Sequence, residues 1–135
     1  MKLKLKANIR TAAEEWRKKY DKVGFFQEEG LARVTLNGKY GFINEEGEEV
    51  IPPKYDEAYP FRKGLAAVEL NGKSGWINPE GTVVIPLKYD NAGNFSEGLA
   101  EVKLNGKWGL VNTKGEEVVP PEYTSIEEAR KQMKS

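Results

Sequence analysis

Leu-Asn-Gly-Lys occurs three times, at 36–39, 70–73 and 104–107, and each copy joins two short runs of alternating apolar and polar residues. Asn-Gly offers two consecutive residues that tolerate positive φ, which is what a type I′ two-residue hairpin loop requires. The chain is therefore committed to three tight antiparallel hairpins, 34 residues apart. Their surroundings recur as well. Gly-Leu-Ala precedes each hairpin at 30–32, 64–66 and 98–100, a glycine comes after it at 41, 75 and 109, and a proline stands at 52, 86 and 120. A period of this length held in register is the signature of a tandem array, in which each unit buries its apolar face against its neighbours.

The hairpin register is set by the turn: Val34 faces Gly41, Val68 faces Gly75 and Val102 faces Gly109. A second turn is written into Asn78-Pro79-Glu80-Gly81, with 44–47 and 112–115 in the same slots. Asn starts the turn, Pro presets φ and Gly takes the left-handed position. A type I turn with a glycine bulge then predicts Ile51, Ile85 and Val119 beside Gly41, Gly75 and Gly109. The absent side chain would make room for these branched residues. Phe42 with Val50, Trp76 with Val84 and Leu110 with Val118 are predicted on the other face. The third strand, apolar on both faces, is expected to be buried on both sides. Pro52, Pro86 and Pro120, lacking an amide donor, are expected to end it.

The two ends depart from the repeat. Leu3, Leu5, Ala7 and Ile9 alternate with lysines, as in a half-buried strand, and Thr11 with Glu14 fits a capping box that opens a short helix carrying Trp16 and Tyr20 inward. Lys19-Tyr20-Asp21 and Phe26 repeat the spacing of Lys54-Tyr55-Asp56 and Phe61, so a truncated unit precedes the three full ones. At the other end Thr124 replaces the aspartate, and Ser125 with Glu128 starts a helix with Ile126, Ala129 and Met133 on one face. The expected organisation is an N-terminal strand and helix cap over 1–24, three units near 26–59, 60–93 and 94–123, and a helical cap over 124–135. The expected fold class is mainly β: three antiparallel three-stranded meanders in an open, capped stack. A closed pseudo-threefold disc is the alternative, and two dissimilar caps speak against it, since closure leaves no end to cover.

Composition narrows the chemistry. A chain of 135 residues suffices for one compact core. It carries 21 acidic and 21 basic residues, interleaved, which is not the basic face that nucleic acid or an anionic membrane selects. Cysteine and histidine are absent, so thiolate chemistry and the commonest general base and metal ligand are missing. No apolar run has the length of a signal sequence or a membrane span, so a cytoplasmic protein is expected. The acidic turn 44–49 lacks the alternating Asp/Asn ladder of a calcium loop and reads as solvated. No cofactor is expected.

The set Gly-Leu-Ala, Asn-Gly-Lys, the following Gly, Ile-Asn or Val-Asn with Gly three residues later, Val-Ile-Pro-Pro (Val-Ile-Pro-Leu at 84–87 and Val-Val-Pro-Pro at 118–121), Lys-Tyr-Asp and Phe, recurring in register over residues 19–126, resembles the WG (Trp-Gly) repeat family, widespread in bacteria. The resemblance implies antiparallel β repeats serving as an interaction module without assigned chemistry. Trp108 alone keeps the namesake tryptophan; Tyr40 and Ser74 hold its place in the other copies.

The candidate binding residues are Tyr40, Trp76, Trp108, Tyr55, Tyr89 and Tyr123. Trp76 and Trp108 are amphipathic aromatics of the kind that anchors interfaces, and they read equally as core. The repeated tyrosines, with Asp56 and Asp90, either line shallow grooves or pack between units. Lys39, Lys73 and Lys107 stand in a row that suits an acidic partner or merely keeps the turns solvated. No serine has a nucleophile context, and the regular carboxylates keep to the period rather than to a site. The expectation is a non-catalytic module for another protein, with a small-molecule or carbohydrate module, and a consensus-like scaffold without a partner, as alternatives.

Overall fold

The computed structural model describes residues 15–27 and 29–134. The predicted strand over 3–9 and the capping box of Thr11 and Glu14 lie outside these residues. The described chain forms three antiparallel sheets in chain order. The first contains β1 (Lys22–Val23), β2 (Leu31–Leu36), β3 (Lys39–Asn44) and β4 (Glu49–Tyr55). The second contains β5 (Glu57–Ala58), β6 (Ala66–Leu70), β7 (Lys73–Ile77) and β8 (Val83–Tyr89). The third contains β9 (Asn91–Ala92), β10 (Leu99–Leu104), β11 (Lys107–Asn112) and β12 (Glu117–Tyr123).

The predicted three-stranded meander thus gains a fourth strand. It is the two-residue segment just after each Lys-Tyr-Asp, which crosses from one sheet and pairs with the first long strand of the next, as Glu57↔Glu69 and Ala58↔Val68 do. Two residues carry no periodicity, so no sequence pattern marks them.

The turns are built as their residues dictate. Asn37, Asn71 and Asn105 have φ of 52–53° and the following glycines 78–79°, the two left-handed residues of a type I′ loop. Val34↔Gly41, Val68↔Gly75 and Val102↔Gly109 pair as predicted. In the second turn Asn44, Asn78 and Asn112 each accept two backbone amides through Oδ1. The acidic segment 44–49 is thus a side-chain-braced turn.

The third strand corrects three expectations. A bulge shifts its register, so Ile51 pairs with Phe42, Ile85 with Trp76 and Val119 with Leu110, one residue from the predicted partners. What the glycine admits is the bulged backbone: a Cβ on Gly41 would lie 2.4 Å from the Ile51 carbonyl oxygen. Secondly, Pro52, Pro86 and Pro120 do not end their strands. Each lies on the edge of its sheet, where a missing donor leaves no ladder bond broken. Thirdly, only one side of this strand is fully covered: Ile51, Ile85 and Val119 are buried, whereas Val83 and Val118 are exposed.

The sheets stack face to face. Leu31, Phe42, Ile51 and Tyr55 of the first meet Ala66, Val68 and Ile77 of the second in one cluster. Leu65, Trp76, Ile85 and Tyr89 of the second meet Ala100, Val102 and Val111 of the third. The outer face of the first sheet (Ala32, Val34, Ile43) is covered by Trp16, Tyr20, Val23 and Phe26, from the helical residues 15–17 and the segment after them. The outer face of the third (Leu110, Val119) is covered by the C-terminal helix Ile126–Lys131 through Ala129 and Ile126. Both ends are covered by cap residues, so the stack is open and the closed disc is excluded. Ser125 caps the helix by accepting the Glu128 amide at 3.2 Å. Met133 falls in a following 3-10 turn and is exposed instead of joining Ala129.

The unit-to-unit fit is also glycine-dependent. In each second turn the glycine rests on the preceding unit: Gly81 on Val50 and Ile51, Gly115 on Val84 and Ile85. Gly47 has no preceding full unit and rests on the Trp16 indole, which stands in for the missing strand.

Candidate interaction surface

Along β3, β7 and β11 the namesake position stands directly opposite the repeated tyrosine: Tyr40↔Tyr55, Ser74↔Tyr89 and Trp108↔Tyr123. The six candidate residues therefore share one face of each sheet, the one turned to the following sheet or, at the end, to the C-terminal helix. Depth divides them. Tyr55, Tyr89 and Trp76 are buried in the seams, Trp76 at 3 % exposure and edge-on to Phe95 at 5.1 Å. Tyr40, Trp108 and Tyr123 sit half-buried at the rims, packed against the same clusters. Cations cover the two rim rings at the namesake position, Arg33 5.0 Å from the Tyr40 ring centroid and Lys103 5.2 Å from that of Trp108.

The buried tyrosines tie successive sheets together. Tyr20 donates to Glu49 at 2.5 Å and Tyr89 donates to Glu117 at 2.6 Å, in each case reaching the first residue of the next sheet's last strand. Lys19 and Lys88 complete the clusters by pairing with those carboxylates while lying over the tyrosine rings. Burial, then the glutamate bond, raises both phenols above their ordinary range, so they remain neutral donors. The Glu49 carboxyl is lowered, first by the Tyr20 bond and then by Lys19. Val83 occupies the equivalent place for Tyr55, whose phenol is raised by burial alone.

The aspartates are staples as well. Asp21, Asp56 and Asp90 accept the backbone amides of Asn37, Asn71 and Asn105, so each braces the hairpin loop of the next unit. Asp56 and Asp90 also pair with Lys39 and Lys73 of their own unit's loop. Their carboxyls are held below the usual range, first by the lysine and then by the amide. Two of the three loop lysines are thereby engaged within the chain. Thr124 stands where the aspartate would be in the third full unit, and the chain after it forms the helix Ile126–Lys131.

Sequence reasoning passed over several surface features. Phe25 is 94 % exposed and Tyr59 48 % exposed. Phe25 adjoins the inward Phe26, and Tyr59 lies two residues before the inward Phe61. Lys63-Gly64 and Glu97-Gly98, with φ near 51–53° and 80–82°, form a third two-residue turn that Lys-Gly and Glu-Gly could have announced. Ser74 was already marked in the sequence at the namesake position; the structure adds that the missing ring leaves an opening between sheets. Among the described residues no group of His, Cys, Asp or Glu is placed to hold a metal ion, and no helix is long and apolar enough to cross a membrane.

These features define a class: a capped linear array of small antiparallel sheets, joined by tyrosine and aspartate staples. Comparison with known families identifies it further. A family model described as "WG containing repeat" matches residues 18–40, 40–73, 75–108 and 108–131. The chain belongs to the WG repeat family, and it is a repeat module of four consecutive matches, the terminal two shorter than the others. No curated protein matches the sequence. Among solved structures, a chain from work on the de novo evolutionary emergence of a symmetrical protein shaped by folding constraints aligns at TM-score 0.38 and 11 % identity. The alignment covers 76 % of this chain and 54 % of that one, so this chain spans about half the length of that relative.

Proposed function

We infer that this chain is a non-catalytic module that binds another protein through the rim of its sheet stack. The observation that carries this reading is the pair of half-exposed rings, Tyr40 and Trp108, at one register position in different sheets, each under a cation. Amphipathic rings held in place by a scaffold are what an interface uses as anchors. The positions that a sugar or small-molecule reading requires are already engaged. Tyr55 and Tyr89 are buried, and Asp56 and Asp90 hold a lysine and a loop amide.

The test begins with affinity co-purification from the source cell to identify the partner. Tyr40→Ala and Trp108→Ala are then each expected to weaken it by about 2 kcal/mol, as for interface anchors, with the circular dichroism spectrum unchanged. A partner retained at full affinity by both variants overturns the reading. Loss of folded signal in Trp108→Ala would assign that ring to the helix seam alone, leaving Tyr40→Ala to decide.

A further inference from the structure

Between the second and third sheets, at the rim, lies a cleft of about 250 Å³ lined by Tyr59, Ala67, Glu69, Ser74, Asn91 and Asn94. It stands where the other units keep a ring. In the first sheet the position of Ser74 is Tyr40, with Arg33 stacked on it; in the third it is Trp108, with Lys103 stacked on it. The second sheet has lost all three parts. The ring is Ser74, the place of Arg33 is Ala67, and the place of Lys103, directly across the hairpin, is Glu69. Ser74 is a buried polar residue at 8 % exposure, and it lines the cleft with no hydrogen-bond partner for its hydroxyl among the described residues. The hydroxyl opens onto the cleft, where an incoming donor or acceptor can reach it.

The charge at the cleft is arranged for an incoming cation. Glu69 pairs across the strand with Glu57, and neither carboxylate has an ion pair among the described residues. Like charges placed directly opposite are unfavourable, and a cation brought to them relieves the repulsion. Tyr59 supplies a half-exposed ring at the wall, and the Asn94 side chain adds a polar edge. At about 250 Å³ the cleft lies below the roughly 300–1,000 Å³ of pockets for whole small-molecule ligands, a size that suits one large side chain.

Resting on the interaction-module reading, we propose that the Ser74 cleft receives one aromatic side chain of a partner protein, tryptophan or tyrosine, next to a lysine or arginine. The incoming ring takes the place that Tyr40 and Trp108 fill in the other sheets. Its N–H or O–H meets the Ser74 hydroxyl or the Glu69 carboxylate, and the neighbouring cation pairs with Glu69 and Glu57. The second sheet thereby obtains in trans the ring and cation that its neighbours carry in cis.

The experiment titrates the full-length chain, labelled for amide NMR, with N-acetyl-Trp-Lys-amide, and in parallel with the Ala-Lys and Trp-Glu versions. Trp-Lys is expected to give saturable shifts at Ala67, Glu69, Ser74 and Asn94, with Ala-Lys at least about tenfold weaker for loss of the buried ring. Glu69→Gln is expected to weaken Trp-Lys by roughly two- to fivefold and to flatten its salt dependence. Ser74→Trp, or Ser74→Tyr should the first not fold, fills the cleft from within and is expected to abolish the shifts.

Shifts confined to Tyr40 and Trp108 overturn the cleft assignment and leave the module reading intact. Shifts at Ser74 in a chain whose partner survives Tyr40→Ala and Trp108→Ala uphold the cleft and overturn the rim surface. No shift with Trp-Lys, or saturation of the cleft by a monosaccharide instead, overturns the proposal.

Discussion

At Gly75 the carbonyl oxygen of Ile85 lies 2.4 Å from where a Cβ would stand, and the Leu87 nitrogen and Pro86 carbonyl carbon lie at 2.8 Å. All three are backbone atoms of a strand pinned by its ladder and by the seam behind it, so none can give way. Gly72 is the opposite case: φ is 78°, yet nothing lies within 4 Å. The two glycines are needed for different reasons, and alanine separates them. Gly72→Ala is expected to cost about 1 kcal/mol, the penalty of a left-handed L-residue, and Gly75→Ala about 2–3 kcal/mol, through forced displacement of packed backbone. Urea denaturation reads both, and equal midpoint shifts would remove the close-approach argument. The first hairpin's register was legible because Asn-Gly admits one turn type and the turn fixes the pairing. The bulge was not, because the alternation around Val50-Ile51 fits two registers a residue apart. Only the backbone approach at Gly41, Gly75 and Gly109 selects between them.

Between sheets, the recurring element is the Lys-Tyr-Asp corner, and its middle copy is incomplete. Tyr20 and Tyr89 each meet a glutamate that a lysine also holds, whereas for Tyr55 the glutamate's position in the repeat is Val83, and Lys54 lies over the Tyr55 ring at 5.3 Å with no ion pair among the described residues. Val83 is exposed, so replacing it empties no core. Val83→Glu is expected to complete the cluster and add about 1 kcal/mol for the hydrogen bond and pair, a rise of roughly 3–4 °C in Tm for a chain this size. The gain has a pH signature. A carboxyl held like that of Glu49 titrates in the folded state below its unfolded value. Its contribution is therefore full above the unfolded pKa of about 4 and is lost as pH falls through the folded one. Melting curves at neutral pH and near pH 2 check this. A gain that survives acid would assign the effect to removal of an exposed valine instead. The corner's role was half visible in the sequence: the repetition of Tyr and Asp was plain. Their partners lie 28 or 29 and 15 or 16 residues away in the next unit, and no local pattern links them.

For the molecule as a whole, openness is decided at the ends. That was legible because Ser125-Glu128 and the missing aspartate at Thr124 announce that the repeat stops. The seams' contents were not, because whether Ser74 opens a cleft depends on what the third sheet places against it. The C-terminal helix covers the Leu110 and Val119 side chains through Ala129, all fully buried, with Trp108 and Tyr123 at the margin. Each such apolar side chain gains about 1.5–3 kcal/mol from burial relative to exposure. Removing residues 125–135 uncovers a flat apolar face that in the first two sheets is matched by the next sheet. The strands beneath keep their ladders and their other seam, so the truncated chain has reason to pair faces rather than unfold. Truncation is expected to give a concentration-dependent dimer by light scattering, with the β-sheet circular dichroism retained and a lower Tm in the dilute monomer. The substitution Ala129→Glu, which forces a carboxylate into the same seam, is expected to loosen the helix and produce the same self-association in the full-length chain. A truncated chain that stays monomeric at every concentration, with its Tm unchanged, would show that the helix covers nothing the stack needs covered, and the terminal cap would lose its physical basis.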